Sequence, residues 1–301
     1  MLIDFHTHAY RVKCPFGANF CTLDELLKEQ DRLGIDMSCV LPVVSPEIYI
    51  PQNTEDIIDM ARAYPDRIIP FCNVDPRSLS NSPFAKLEDV MEFYKEKGCK
   101  AIGEVMPNMR MDDPKVQNLF RAAEKVGFSV TPDGSDQLDG DFGLYDDPGL
   151  PQLELSLRRF PNLIIFGHGP IFWGEIAKLE TPGEKGYPFR FLDEGQVNGV
   201  PGRKKPIKEE GVVAKLLRRY PNLHCDLSDG TAYFALTRDE DYIAEFIKEF
   251  EDRMYFGTDQ CYYGQPIPLI NKLNEWKDRG VITKSAYNKI THENAMRHLG
   301  L

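Results

Sequence analysis

Short apolar runs alternate with amphipathic segments along most of the chain. Eight runs rich in β-branched and aromatic residues predict strands at residues 2–8, 38–44, 67–74, 101–105, 128–132, 163–168, 223–227 and 253–259. Apolar residues three and four positions apart predict helices at residues 23–34, 54–64, 84–97, 114–126, 150–160, 212–220 and 240–250, before closing helices. Pro65, Pro161 and Pro221 mark three helix ends, because proline cannot continue a helix. The pattern is a repeated strand–helix unit.

The spacing of the predicted strand ends favours a closed barrel. These ends recur about one strand–helix unit apart, except for one long interval after strand six. That interval is rich in Gly, Pro and charged residues, and we interpret it as an insertion at about residues 174–211. We therefore predict an α/β fold, a single-domain (β/α)8 TIM barrel over residues 1–301. An open doubly wound sheet is the alternative, but no glycine-rich nucleotide motif follows a strand.

Composition and charge exclude several classes of protein. With 42% hydrophobic and 28% charged residues, the chain is typical of globular proteins and not of disordered or collagen-like ones. Its net charge of -11 repels phosphate backbones and anionic lipid, so we expect neither nucleic acid nor a membrane as a partner. No long apolar run or secretory signal is present, which predicts a cytoplasmic protein. The seven scattered cysteines predict mainly buried thiols.

Two histidines at the end of the first predicted strand are the first candidates for chemistry. His6 and His8 are two positions apart, so alternation along a strand points both imidazoles the same way, into the barrel mouth. Two neutral imidazoles suit a divalent transition metal. The alternative is a pair of strand histidines whose nitrogens bond to backbone or solvent.

Further residues of metal-ligand type end other predicted strands. They are Glu104, Asp133, His168 and Asp259. Strand ends of a barrel converge on one mouth, and buried carboxylates are unfavourable unless a cation or hydrogen-bond donors compensate them. The sequence therefore predicts a bound divalent cation, with zinc as the first choice and manganese as the second.

Two of these residues have simpler interpretations. Glu104 could form an ion pair inside the barrel with Arg110 or Lys100. Asp133 could be a turn residue, since Pro-Asp-Gly favours a turn. The other three histidines are interpreted as structural, and they are His224, His292 and His298.

Several motifs together resemble a known superfamily. They are Asp4-Phe-His-Thr-His8, Phe-Gly-His168-Gly, His-Cys-Asp226-Leu-Ser, Tyr-Phe-Gly-Thr-Asp259 and Asn294-Ala-Met-Arg-His-Leu-Gly-Leu. The chain resembles the amidohydrolase superfamily, in the branch that includes aminocarboxymuconate semialdehyde decarboxylase. The resemblance implies that His6 and His8 bind the metal, and that Asp259 both ligates it and exchanges a proton with its water or the substrate. It matches His168 to the strand-six histidine of the family.

The sequence departs from the family pattern on strand five. The family usually has a metal-binding histidine there, whereas Asp133 occupies the nearest position of this chain. Asp133 could replace it as an oxygen ligand. Alternatively, His168 and Glu104 complete the ligand set, as the strand-four glutamate does in the metal-dependent DNase branch. Both alternatives stay open, as does the number of metals.

A basic cluster and a set of aromatic residues near the predicted barrel mouth are candidates for substrate binding. A basic cluster at residues 203–208 could attract a carboxylate or be a solvated loop. Aromatic residues could wall a planar substrate or serve in packing, and they are Phe172, Trp173, Tyr187, Phe189, Tyr262 and Tyr263.

Three functions are compatible with this site. The first is metal-dependent hydrolysis of a small carboxylate-bearing or aromatic substrate, with Asp259 or His168 moving protons. The second is nonoxidative decarboxylation of an aromatic or unsaturated acid, with His168 as the proton donor. The third is a non-catalytic binding barrel. We expect a small-molecule substrate, and a homo-oligomer is compatible with the sequence.

Overall fold

Eight short strands form the centre of the molecule. This computed structural model describes residues 1–14, 20–48, 52–180, 196–197, 200–201 and 206–301. The strands are β1 (Ile3–Thr7), β2 (Met37–Val40), β3 (Ile68–Pro70), β4 (Ile102–Val105), β5 (Val130–Pro132), β6 (Ile165–Gly167), β7 (Leu223–Asp226) and β8 (Met254–Tyr255). Two short strand pairs lie outside this set, Gly134–Ser135 with Leu144–Tyr145 and Gln196–Val197 with Val200–Pro201.

The eight strands are parallel and follow one another in chain order. One sheet contains β1, β2 and β3, and the other contains β4 to β8. A parallel bridge between Cys72 and Ile102 joins the sheets at one seam, and a bridge between Thr7 and Gln260 joins them at the other. At the second seam the Asp259 amide donates to the His6 carbonyl at 2.8 Å. The predicted TIM barrel is confirmed.

Helices connect successive strands. They are α1 (Leu23–Leu33), α2 (Thr54–Ala63), α3 (Leu87–Glu96), α4 (Pro114–Val126), α5 (Pro151–Arg159), α6 (Gly169–Trp173), α7 (Val212–Arg219), α8 (Asp229–Thr237), α9 (Glu240–Phe250), α10 (Pro268–Arg279), α11 (Lys284–Asn288) and α12 (Asn294–Leu299). Short 3-10 turns lie at Gly174–Ile176 and Glu251–Arg253, and a π-helical turn at Lys289–Glu293 joins α11 to α12.

Local sequence signals explain where the helices begin and end. Thr22 and Glu25 form a reciprocal capping box at the start of α1, and Gly34 ends it in a left-handed conformation with φ 71°. Helices α2, α5 and α7 stop two residues before Pro65, Pro161 and Pro221, as predicted.

Two apolar layers hold the barrel together. The larger lies between the helices and the outside of the strands. The smaller lies inside the ring, because Phe5 of β1 contacts Phe166 of β6, a strand that is not its neighbour, with ring centroids 4.6 Å apart. Phe71 packs edge-on against the same Phe5 ring at 5.7 Å. This plug fills the barrel interior beneath the site described below.

The structure corrects several element predictions. The helix predicted at residues 84–97 begins at Leu87, because a turn in which the Ala85 amide donates to the Ser82 carbonyl precedes it. The strand predicted at residues 253–259 is regular only at Met254–Tyr255, although the Phe256 carbonyl and the Asp259 amide still form hydrogen bonds with β1. Helix α8 was not predicted, because consecutive apolar residues at 232–236 hide its period. Most of the predicted insertion lies outside the described residues.

Cysteine burial and helix length were also considered from the sequence. Cys14 and Cys261 are partly exposed, and the other five cysteines are buried. In the described part of the chain, no helix is both long and apolar enough to cross a membrane.

Candidate metal centre

The two histidines of β1 point their Nε2 atoms at one place. These atoms lie 3.3 Å apart, and both side chains are buried. His8 Nδ1 lies 2.9 Å from the carbonyl oxygen of Leu41, and His6 Nδ1 lies 2.6 Å from Oδ2 of Asp226. Since a carbonyl and an ionised carboxylate only accept, each Nδ1 donates a hydrogen bond, and in the neutral imidazole this leaves Nε2 with the lone pair that a metal needs. Metal-binding histidines are commonly held in this way.

Two carboxylates from other strands complete the first group. Oε2 of Glu104, on β4, lies 3.5 Å from Nε2 of His6 and 3.3 Å from Nε2 of His8. Oδ1 of Asp259, after β8, lies 3.2 Å from His8 Nε2 and 3.9 Å from His6 Nε2. Ligand atoms about 2.1 Å from a tetrahedral ion are separated by about 3.4 Å. These four atoms are therefore spaced to fit one divalent cation.

A second group uses the other oxygen of the same glutamate. Oε1 of Glu104 lies 3.1 Å from Nε2 of His168, which follows β6. Asp133, which follows β5, joins them, with ligand atoms of the three residues all within 4.8 Å of one another. Glu104 therefore connects two groups of ligand-type residues through its two oxygens.

The surroundings of Asp133 leave little room for a larger side chain. The residue is 6% exposed, and the chain continues beyond it as the strand Gly134–Ser135 and not as the turn considered from the sequence. A Cβ on Gly169 would lie 2.6 Å from Oδ1 of Asp133, and one on Gly143 would lie 3.0 Å from Oδ2. Two glycines thus create the space that the Asp133 carboxylate occupies.

Asp226 orients the histidines and was missed as a site residue. Besides His6 Nδ1, its Oδ2 lies 3.3 Å from Nδ1 of His168. Ser228 Oγ lies 3.1 Å from the same His168 nitrogen, and Trp173 Nε1 donates to the Asp226 carbonyl at 3.0 Å. The signal was present, because Asp226 ends a predicted strand as the other candidates do.

The buried charges of the centre favour a positive charge at its middle. Burial lowers the pKa of His6, but Asp226 and Glu104 outweigh it and raise that pKa to about 10. Burial also lowers the pKa of His8, but Asp259 and Glu104 outweigh this effect and raise the pKa to about 9. Burial and then the charge of Glu104 raise the pKa of Asp133 well above its usual range. Protons or metal cations satisfy such a field, and the lone-pair geometry suits metal cations.

Glu104 does not form the ion pair with Arg110 or Lys100 that was considered from the sequence. Arg110 pairs with Asp112 at 2.9 Å, and Lys100 Nζ donates to the Leu299 carbonyl.

The other histidines lie outside both ligand groups. His224 stacks on Tyr255, His298 contacts Ser129 at 2.8 Å, and His292 contacts Thr291.

A pocket of about 670 Å³ opens onto the two ligand groups. Its apolar wall consists of Tyr10, Phe20, Val43, Ile48, Met106 and Phe142. Its acidic lining consists of Glu47, Glu104, Asp133, Asp141, Asp229 and Asp259. Among the described lining residues there is no lysine or arginine.

The aromatic wall differs from the one predicted. Phe172 and Trp173 are buried in the core, and Tyr262 and Tyr263 are exposed outside the pocket lining. Tyr187 and Phe189 lie outside the described residues, as do residues 203–205 of the basic cluster. Lys208, at the end of that cluster, is exposed and does not line the pocket.

Comparison with known proteins identifies the fold. No protein-family model and no curated protein sequence matches the chain. An uncharacterised TIM-barrel protein from Bordetella bronchiseptica matches over 99% of this chain and 98% of its own, with TM-score 0.61 and 17% identity. The chain has the TIM-barrel fold. A probable 2-pyrone-4,6-dicarboxylic acid hydrolase from Acinetobacter baumannii, solved with citric acid bound, matches over 100% and 99%, with TM-score 0.58 and 12% identity.

A third structural neighbour was solved with a metal. It is 5-carboxyvanillate decarboxylase from Novosphingobium aromaticivorans, complexed with manganese and a nitrobenzoic acid, which matches over 100% of this chain and 96% of its own, with TM-score 0.58 and 14% identity. These neighbours thus include a probable hydrolase and a decarboxylase, and their likeness to this chain lies in the fold.

Proposed function

We propose that this protein is a metal-dependent hydrolase with two divalent cations at the barrel mouth. The observation that carries the proposal is the position of Glu104, whose two oxygens face separate ligand groups. His6, His8 and Asp259 would hold one cation with Glu104, and His168 and Asp133 would hold the other with the same residue. A carboxylate shared between two cations is suited to hydrolytic chemistry.

Bound cations would polarise a scissile carbonyl and lower the pKa of an attacking water toward 7. Side chains of the protein would carry out the proton transfers. The side chain of Asp259 is 18% exposed, against 5% for Glu104 and 3% for His168, so it is the most accessible of the three from the pocket. Asp259 is therefore placed to take the proton of the attacking water and to pass it to the leaving group.

The pocket supports a small substrate with an aromatic or planar body. Phe20 and Phe142 stand on the apolar wall that faces the ligand groups. An aromatic ester, lactone or amide fits this lining. A carboxylate on the substrate would need the cations, or residues outside the described lining, to balance its negative charge.

Metal content and hydrolysis measured together test the proposal. The protein is stripped with a chelator, reloaded with zinc or manganese, and assayed for bound metal and for hydrolysis of a panel of aromatic esters, lactones and amides. We expect two metals per chain and metal-dependent hydrolysis, with both reduced in Glu104→Gln and unchanged in Glu92→Gln, which alters an exposed residue of α3. Full activity of E104Q, or a fully loaded protein that hydrolyses none of the panel, would reject the proposal.

Decarboxylation is the second candidate, because decarboxylases are among the structural neighbours. In that reaction His168, whose Nε2 faces Glu104, would protonate the carbon that loses carbon dioxide. The same reloaded protein is incubated with hydroxybenzoic acids, and carbon dioxide is measured. Metal-dependent release of carbon dioxide without hydrolysis of any panel compound would favour this candidate. A protein that binds no metal under any loading condition would instead favour the non-catalytic barrel.

A further inference from the structure

The side chain of Tyr10 carries a buried hydroxyl without a hydrogen-bond partner. The residue is 6% exposed, and within the described part of the chain its hydroxyl has no hydrogen-bond partner. Buried hydroxyl groups are nearly always paired in folded proteins, since an unpaired one is destabilising. An exception beside a ligand pocket therefore points to a partner that arrives with the ligand.

Tyr10 is held at the wall of the pocket that opens onto the metal centre. It lines this pocket together with His8, Glu104 and Asp259. Its amide donates to the Cys21 carbonyl at 2.7 Å, and its ring packs on Phe20 with centroids 4.8 Å apart. Backbone and ring are thus both held at the wall of the pocket.

The rest of the described lining is poor in groups that could donate a hydrogen bond to a substrate oxygen. Its charged residues are carboxylates, and apart from histidines the side chains able to donate are Tyr10 and the thiol of Cys261. A tyrosine phenol is protonated at neutral pH, since its pKa is about 10. Tyr10 is therefore the strongest donor of this wall toward a carbonyl or ester oxygen.

We propose that the Tyr10 hydroxyl donates a hydrogen bond to an acceptor oxygen of an aromatic carbonyl compound bound in this pocket. The ring of that compound would lie on the apolar wall beside Phe20 and Phe142. Tyr10 thereby selects substrates that carry an acceptor over hydrocarbons of the same shape. The inference rests on the proposed function, because it places a substrate in the same pocket.

Binding of benzamide to the zinc-loaded protein tests the proposal, with toluene as the probe that lacks an acceptor. Titration calorimetry or ligand-observed NMR compares wild type, Tyr10→Phe and Tyr94→Phe. The control removes a hydroxyl that donates to Glu55 outside the pocket. We expect Y10F to bind benzamide about 3- to 10-fold more weakly than wild type, which corresponds to the loss of one neutral hydrogen bond. Toluene binding should be the same in all three proteins, and Y94F should bind benzamide as wild type does.

The melting temperature gives an independent readout. Y10F removes only an unpaired hydroxyl, so it should melt no lower than wild type. Equal benzamide affinity of wild type and Y10F, no saturable benzamide binding to wild type, or an equal loss of toluene binding in Y10F would overturn the proposal. Benzamide binding needs no turnover, so Tyr10-dependent binding in a protein without hydrolytic activity would reject the proposed function alone.

Discussion

Oδ2 of Asp226 lies 2.6 Å from Nδ1 of His6, inside the barrel and on the side of the imidazole that faces away from the ligand atoms. Both side chains are fully buried. The carboxylate fixes the tautomer and the ring orientation of His6, and it also reaches Nδ1 of His168 at 3.3 Å. One acid at the end of β7 thus orients a histidine in each ligand group.

Replacing this acid should weaken metal binding while the barrel stays folded. Asp226→Asn keeps the shape of the side chain and removes its negative charge, so we expect zinc affinity to fall by about 10- to 100-fold. Competition with a chromophoric chelator measures the change. Asp278→Asn, at a position 73% exposed, is the matched control and should bind zinc as wild type does. Unchanged zinc affinity in D226N would show that the contact does not orient the ligands.

Asp133 belongs to only one of the ligand groups, so its replacement should remove one metal and not both. Asp133→Asn fits the space left by Gly143 and Gly169, and the neutral amide is a poorer ligand than a carboxylate. We expect elemental analysis of the zinc-loaded variant to give one metal per chain, against two in wild type. A variant that retains two metals, or that loses both, would contradict this division of the ligands.

An ion pair remote from the centre predicts a specific pH dependence of stability. Glu88 of α3 accepts hydrogen bonds from Arg121 at 3.0 Å and Lys125 at 3.1 Å on α4. Burial raises the pKa of Glu88, but these cations outweigh it and lower that pKa to about 2 from an ordinary 4.5. Because the pKa is lower in the folded state, the stabilisation is complete above pH 4.5 and is lost as the pH falls toward 2.

The change that tests this ion pair is Glu88→Gln. At pH 7 we expect its free energy of unfolding to be lower than that of wild type by about 1 kcal/mol, since the partner cations are half exposed. Urea unfolding at pH 7 and at pH 3 should show this difference shrinking at the lower pH. Glu92→Gln, one turn along the same helix, should match wild type at both values. If E88Q and wild type differed in their free energy of unfolding by the same amount at pH 7 and at pH 3, the pH dependence assigned to this ion pair would be disproved.

The sequence predicted the parts of this structure that follow from periodicity. Alternation along β1 placed His6 and His8 on one side, and the common edge of parallel strand ends placed Asp259 beside them. Glu104 and His168 joined the same mouth for the same reason. These contacts depend on the fold class, which the repeated strand–helix pattern determines.

Other features depend on packing that a single sequence does not reveal. Phe172 turns into the core because Gly167 lacks a side chain, and a Cβ there would lie 2.3 Å from its ring. Asp226 ends β7 and Asp259 follows β8. Only the three-dimensional arrangement shows that Asp226 contacts Nδ1 of His6 whereas Asp259 lies beside Nε2 of His8. The unpaired hydroxyl of Tyr10 is likewise invisible to any periodicity.

The central claim is that Glu104 is shared by two cations, and anomalous X-ray diffraction from crystals of the zinc-loaded protein tests it most directly. Data collected on either side of the zinc absorption edge locate zinc independently of any modelling of the protein. We predict two anomalous peaks on opposite sides of the Glu104 carboxylate, one beside His6, His8 and Asp259 and the other beside His168 and Asp133. A single peak without Glu104 as a ligand, or no peak at the barrel mouth, would contradict the account.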